Sequence, residues 1–214
     1  IYDCLRACFL TGDVVGEFPS SLLPKTDEPN FQIVTDMVAA LVGQYFYATE
    51  KADGSSGTAF VLDGKLRVCS RNYELKESPK TAGWILAKHY GLAEKLPEGM
   101  AIQFEMIGNK IQGNPMGING LDMRVFNLYS ITDRQYRNFA DLKEFCAKNG
   151  LPMVAVVSEG TLFQMKDAHE LQAFARGTYS NGKPREGVVI RPMIEQRVGG
   201  ERLSFKVINL EYKA

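Results

Sequence analysis

Histidine is scarce in this sequence, and cysteine occurs without any pairing motif. The two histidines, His89 and His169, sit in no context that suggests a metal ligand or a general base. The four cysteines, Cys4, Cys8, Cys69 and Cys146, form no Cys-x-x-Cys pair. A structural zinc needs thiolates or imidazoles at short paired spacings, so none is expected. Scattered thiols of this kind read as buried and reduced, which points to the cytoplasm. Charge of one sign is not in excess either: 25 Lys and Arg balance 25 Asp and Glu. That excludes a polybasic, histone-like nucleic-acid binder but leaves room for a local basic groove. No apolar run approaches the roughly 20 residues of a membrane span, and no secretory signal is present, so no membrane partner is expected. The chain begins Ile1-Tyr2-Asp3 without a Met, so a segment upstream is expected to have been removed.

What is present is an ordinary globular composition, 45% apolar and 23% charged over 214 residues, enough for one large domain. Residues 1–30 are turn-rich, with Pro19, Pro24 and Pro29, and read as an extended lead-in. Phe31, Val34, Val38, Leu41 and Val42 fall at helical spacing, predicting an amphipathic helix over 31–43 that Gly43 stops. Gln44 to Glu50 is aromatic and β-rich, a strand that delivers Lys51 to its end. Thr58 to Leu62 and Leu66 to Ser70 flank Asp63-Gly64, a hairpin signal. Further helices are expected at 79–94, with Pro79 in the first turn, and at 138–149 and 166–176. Further strands are expected at Met100 to Ile107, Met123 to Ile131, Val188 to Ile190 and Leu203 to Phe205. The interleaving shows no strict βαβ period. The fold class is therefore α+β, with mixed, mostly antiparallel sheets and flanking helices, not a Rossmann fold.

Lys51 lies in the run Glu50-Lys51-Ala52-Asp53-Gly54-Ser55-Ser56-Gly57. A lysine amine is a nucleophile only when neutral, and its unperturbed pKa of about 10.4 leaves little neutral form at pH 7. Burial or a neighbouring positive charge must lower that value. Glu50 and Asp53 push the other way unless a cation engages them, and a Mg²⁺–phosphate complex would do so. The Gly/Ser run lets backbone approach a phosphate and offers hydroxyl donors. Lys-x-Asp-Gly alone arises by chance in about one in twenty chains of this length, and alone it reads equally as a solvated turn.

Lys-x-Asp-Gly-Ser resembles the nucleotidyl-acceptor motif of the covalent nucleotidyltransferase superfamily: ATP-dependent DNA ligases, RNA ligases and mRNA capping enzymes. Ser56 stands where DNA ligases and capping enzymes usually carry Arg, which is similar to RNA ligases. Further stations follow in the family's order. They are Arg71 in Cys69-Ser70-Arg71-Asn72, Glu105 at the end of the apolar run from Ile102, and Ile111-Gln112-Gly113-Asn114-Pro115 followed by Val125-Phe126-Asn127-Leu128-Tyr129. Glu186-Gly187-Val188-Val189-Ile190-Arg191 and Ser204-Phe205-Lys206-Val207-Ile208-Asn209 complete the set. The Ile111 run, with Phe18-Pro19 and Pro24-Lys25-Thr26-Asp27-Glu28, is similar to the RNA ligases that carry an N-terminal OB-like module, known from bacteria and some protists. The resemblance spans about residues 16 to 209. Three positions depart from it: Phe104 where members often have Gly, Asn30 where an arginine often follows the lead-in, and Ile208 where many have a second lysine.

The resemblance implies an ATP-grasp-like nucleotidyltransferase domain over 31–214, with 1–30 a lead-in from a missing OB-like module. It implies that Lys51 takes AMP from ATP, with Mg²⁺ or Mn²⁺, and that Asp53 and Glu186 hold the ion through its waters. Glu50 and Ala52 would flank the nucleotide, and Arg71 would contact the ribose or the incoming end. Glu105 would bind a ribose hydroxyl, Phe126 would stack on adenine and Lys206 would hold the α-phosphate. Without the resemblance, Arg71 reads as a surface arginine and Phe126 as core. The implied partner is RNA with 5′-phosphate and 3′-hydroxyl ends, as at a nick in a duplex. DNA ligase, capping enzyme and a non-catalytic nucleotide- or RNA-binding module remain the alternatives.

Overall fold

The computed structural model describes residues 13–212; Cys4, Cys8 and the first twelve residues of the expected lead-in lie outside the described residues. Two antiparallel sheets carry the fold. The larger runs β1 (Val14–Glu17), β5 (Tyr73–Leu75), β4 (Lys65–Ser70), β3 (Ser55–Leu62), β6 (Met100–Gly108), β7 (Leu121–Ser130) and β8 (Gln135–Tyr136). The smaller runs β13 (Phe205–Ile208), β10 (Gly187–Pro192), β2 (Tyr45–Glu50) and β9 (Val156–Leu162). A short hairpin, β11 (Arg197–Val198) and β12 (Glu201–Arg202), precedes β13. The α+β class with antiparallel sheets and few helices is as the sequence implies.

The β3–β4 hairpin turns at Asp63 (φ 54°) and Gly64 (φ 69°), the two left-handed residues that an Asp-Gly hairpin supplies. Their amides donate to the Glu98 carboxylate at 2.7 and 3.0 Å. One face of the large sheet packs on α2 (Ala82–His89) and α4 (Phe139–Asn149), around Ile102, Phe104, Val125, Trp84 and Leu142. Asn138 and Asp141 cap α4 reciprocally, and Gly150 (φ 61°) ends it. The other face is covered by the lead-in: Phe18 and Leu23 pack on Phe60, Ala101 and Tyr129, and the Gln103 amide donates to the Pro24 carbonyl at 2.8 Å. In the small sheet Phe46 and Ala48 face α1 (Thr35–Leu41) and α5 (Ala168–Ala175). Tyr47 points the opposite way and stacks on Phe139, ring centroids 3.9 Å apart.

Several boundaries differ from the sequence reading. The helix expected over 31–43 splits into a 3-10 turn, Phe31–Ile33, and α1, because the Asn30 side chain accepts the Gln32 amide and Val34 leaves helical geometry. The helix expected from 79 starts at Ala82, so Pro79 lies outside its first turn. It breaks at Gly91 (φ 61°) before a single turn, α3 (Leu92–Lys95). The final strand begins at Phe205 rather than Leu203. Strand β9 has no alternating pattern, since four of its last residues are exposed at the sheet edge, and it escaped notice. Cys69 and Cys146 are buried free thiols, and burial pushes both up to about 12. No helix among the described residues is long and apolar enough to cross a membrane.

A buried arginine ties these parts together. The Arg191 guanidinium donates to Glu28 Oε1 (2.7 Å), Ser204 Oγ (2.8 Å), the Phe126 carbonyl (3.2 Å) and the Tyr47 hydroxyl (3.4 Å). Burial alone would raise the Glu28 carboxyl, but Arg191, Arg202 and the Ser204 hydroxyl bring it below the usual carboxylate range. A carboxyl lowered in this way stabilises the fold above its ordinary value of 4.5, and that contribution is lost as the pH falls through the lower folded value. Glu28→Ala strands a buried charge and is expected to cost about 3 kcal/mol or more in urea unfolding at pH 7. A loss under about 1 kcal/mol would mean that the pair does not hold the sheets together.

Candidate active site

Lys51 follows the last residue of β2. Strand alternation puts Thr49 and Lys51 on the face opposite Phe46 and Ala48. Its amide donates to the Gly187 carbonyl at 3.0 Å, extending the β2–β10 ladder by one bond. On its other side Gly187 lets β10 lie close to β13, because a Cβ there would be 2.1 Å from the Val207 carbonyl oxygen. Lys51 Nζ reaches Glu186 Oε1 at 2.7 Å, with both side chains largely shielded. Glu186 Oε2 is buried and has no hydrogen-bond partner among the described residues.

The other side of the site comes from the large sheet. Gly54 lies flat against β6, where an added Cβ would be 2.1 Å from the Met106 carbonyl oxygen. Its amide donates to Glu105, which pairs across the ladder with Ser56. Burial pushes the Glu105 carboxyl up to about 8; Lys51 offsets part of this, and Glu186 and Asp53 add to it. Asp53 accepts the Tyr212 hydroxyl. Asp53 and Glu186 thus lie near a third carboxyl, Glu105, and Lys51 is the cation that offsets them there. Among the described residues no three His, Cys, Asp or Glu side chains are arranged to enclose a metal ion.

Beside Lys51 lies an apolar shelf of Ala52, Ile107 and Val154, flanked by Met116, Ile118, Phe126 and Met153. Phe126 joins it through a bulge: Gln103 pairs with Asn127 and Phe104 with Val125, leaving Phe126 unpaired in the ladder between them. Met116 and Ile118 come from a loop held by the Asn114 side chain, which accepts the Ile118 amide and donates to the Ile118 carbonyl, both at 2.9 Å. Asn114 itself adopts φ 53°, a conformation Asn tolerates.

The remaining expected residues divide. Lys206 pairs with Val189, which pairs with Thr49, so it shares the face of Lys51, and its ammonium has no ion pair among the described residues. Its own amide donates to the Pro29 carbonyl at 2.8 Å. Ile208 pairs with Gly187 on that same face, two residues closer to Lys51. Arg71 leaves β4 just past the Ser70–Gly57 pair, near the Ser55–Ser56 end of β3, but its side chain is exposed and paired with Asp27. Glu50 alternates to the far face of the sheet; burial raises its carboxyl, with Arg185 offsetting. Phe104 lays its ring over Gly57, where a Cβ would be 2.6 Å from it.

The sequence assigned no role to three residues beside the site. The buried Tyr179 hydroxyl donates to the Lys51 carbonyl at 2.9 Å and accepts the Glu186 amide at 3.1 Å. Arg185 donates to the carbonyls of Phe174, Ala175 and Arg176. Asn209 donates to the Arg185 carbonyl at 3.0 Å, and its amide to that of Glu186 at 2.9 Å. No local signal marks Tyr179, which lies 128 residues from its partner; Arg185 abuts a motif residue, and Asn209 closes the last motif without a role read from it.

A model of the RNA ligase family matches residues 44–208. No curated protein gives a significant match. Among solved structures, a Naegleria gruberi RNA ligase mutant with ATP and Mn is 30% identical with a TM-score of 0.84, over 94% of this chain and 59% of that one. The same RNA ligase with PPi is 31% identical with a TM-score of 0.83, over 94% and 59%. A mutant of it in the apo form is 32% identical with a TM-score of 0.83, over 94% and 59%. This chain therefore spans about three-fifths of the length of the ligases it matches. With its family model covering most of its length, the chain belongs to the RNA ligase family.

Proposed function

We propose that this chain is the adenylylation domain of an ATP-dependent RNA ligase and that Lys51 is its nucleophile. The observation that carries the reading is the placement of Lys51 between an apolar shelf and an ion-paired Glu186, on the same sheet face as Lys206, whose ammonium has no ion pair among the described residues. The related ligase has been solved with ATP and Mn, with AMP and Mn, and with PPi, the donor and both products of such a transfer.

In the first step Lys51 Nζ attacks the α-phosphorus of ATP. An N–P bond forms, the bridging P–O bond breaks and pyrophosphate leaves. Glu186 Oε1, 2.7 Å away, is the base within reach of the amine's proton. Adenine lies against Phe126 on the shelf, Glu105 receives a ribose hydroxyl, and Lys206 stabilises charge on the α-phosphate. Glu50 and Ala52 line the nucleotide as neighbours of Lys51, Glu50 through its backbone because its side chain faces away. The excess of carboxylates and the orphaned Glu186 Oε2 fit a hydrated divalent cation. Asp53 and Glu186 would hold it through its waters, and bound Mg²⁺ or Mn²⁺ would supply charge neutralisation beside the triphosphate. AMP then passes to an RNA 5′-phosphate, and a 3′-hydroxyl displaces it to form the phosphodiester, as at a nick in a duplex, with Arg71 near the incoming end. On this reading residues 31–214 form the domain and 1–30 its lead-in from an OB-like module.

Incubation with α-labelled ATP and Mg²⁺ is expected to label the wild type through an acid-labile bond and to leave Lys51→Ala blank. Equal labelling of both would end the proposal; labelling by GTP, or sealing of an all-DNA nick, would move the chain to a capping enzyme or a DNA ligase. Phe126→Ala is expected to weaken ATP binding by about 1–3 kcal/mol, the value of one stacked base, without blocking labelling at saturating ATP. Unchanged affinity by calorimetry would place adenine elsewhere. The raised Glu105 carboxyl also gives a stability test. Between the ordinary 4.5 and about 8 the folded state holds a proton that the unfolded state releases, so stability falls as pH rises through that window. Glu105→Gln keeps the neutral shape, so its melting temperature relative to wild type should rise from pH 5 to pH 9. A difference independent of pH would show that the site does not oppose this charge.

A further inference from the structure

Tyr179 closes a ring around the two charged residues of the site. Its hydroxyl donates to the Lys51 carbonyl and accepts the Glu186 amide, while the Lys51 amide donates to the Gly187 carbonyl. The backbones on either side of the 2.7 Å Lys51–Glu186 ion pair are therefore fixed to each other by one phenol and one ladder bond. The phenol is buried, and burial together with Glu186, Asp53 and Glu50 keeps it in its neutral, hydrogen-donating form.

The segment that presents Tyr179 is itself anchored. The Tyr179 amide donates to the Lys183 carbonyl at 2.8 Å and the Gly182 amide to that of Tyr179 at 2.9 Å, forming a closed turn. From its tip the Asn181 side chain donates to the Pro115 carbonyl at 2.9 Å, in the loop that carries Met116 and Ile118 of the shelf. One short stretch thus touches the nucleophile at one end and the wall of the nucleotide shelf at the other. Neither Asn181 nor Tyr179 is needed to complete a strand.

We propose that Tyr179 is a positioning residue, whose hydroxyl holds the Lys51 and Glu186 backbones at the separation from which the Lys51 amine attacks. This rests on the reading of Lys51 as the nucleophile. Without the hydroxyl, the Lys51 carbonyl and the Glu186 amide lose their partner, and the two strand ends drift. A displacement on the order of 1 Å costs about 100-fold in rate when reacting atoms must be in line. ATP binding depends instead on the shelf, Glu105 and Lys206, none of which Tyr179 touches.

The test compares wild type, Tyr179→Phe and Asn138→Ala; the last removes the cap of α4, away from the site, and leaves the clamp. The expected result for Tyr179→Phe is a single-turnover labelling rate at saturating ATP about 10- to 100-fold lower, with half-saturating ATP within about 3-fold of wild type. Asn138→Ala is expected to lower the melting temperature but keep the rate. A second readout needs no catalysis: acetylation of Lys51 by acetic anhydride, measured by peptide mass spectrometry against Lys110, should rise several-fold in Tyr179→Phe as the ion pair loosens. A Tyr179→Phe protein with wild-type rate and wild-type acetylation overturns the clamp and leaves the ligase reading intact. Equal rate losses in both variants at equal melting temperatures also overturn it, since general loosening would then explain both. A wild type that takes no AMP while Tyr179→Phe still exposes Lys51 to acetylation overturns the ligase reading and supports the clamp.

Discussion

A guanidinium with 1% of its surface exposed stays charged in this fold because four acceptors from distant segments converge on it. Arg191 sits on the central strand pair of the small sheet. It reaches the lead-in through Glu28, β2 through Tyr47, the approach to β13 through Ser204 and the large sheet through the Phe126 carbonyl. Arg202 supports the same cluster, stacked 3.6 Å from the Tyr136 ring centroid and bonded to Glu195. A buried pair of this kind adds little net stability against an apolar substitute, but breaking it leaves an uncompensated charge. Its value here lies in register. It joins the two sheets, and it holds the backbone of the β7 bulge from which Phe126 joins the shelf beside Lys51. The geometry of the site is inherited from a charge burial four residues further along β10.

The site carries the opposite imbalance. Asp53 and Glu186 act on Glu105 with one ammonium, Lys51, to offset them, and burial pushes the Glu105 carboxyl up to about 8. A fold selected for stability alone would not gather them. The arrangement is costly without a ligand and favourable with a cation and a nucleotide, the trade expected where activity needs a destabilised site. The related ligase, solved with ATP and Mn, accepts both kinds of ligand.

Much of the fold was legible because its signals are local. Asp63-Gly64 specifies a hairpin by its own conformational preferences, and Asn138 with Asp141 caps a helix within one turn. Local signals also explain the misplacements. Asn30 and Val34 interrupt the 31–43 period through a side-chain hydrogen bond that hydrophobic spacing does not register. The edge strand β9 needs no alternation, because solvent meets much of it. Glu50 belongs to the Lys51 motif by sequence, yet strand alternation turns its side chain away, a consequence of β2 continuing to the residue before Lys51.

By itself the sequence determined the antiparallel α+β class and the order of stations from Lys51 through Arg71, Glu105, Phe126 and Glu186 to Lys206, since propensity, turn chemistry and motif spacing are properties of neighbouring residues. Only the tertiary structure decided which carboxylate meets the Lys51 amine, why Glu105 keeps its proton, how Phe126 reaches the shelf, and that Tyr179 joins Lys51 to Glu186. Those outcomes depend on distance and on exclusion of water between segments up to 163 residues apart. Neither quantity exists until the two sheets have packed around Arg191.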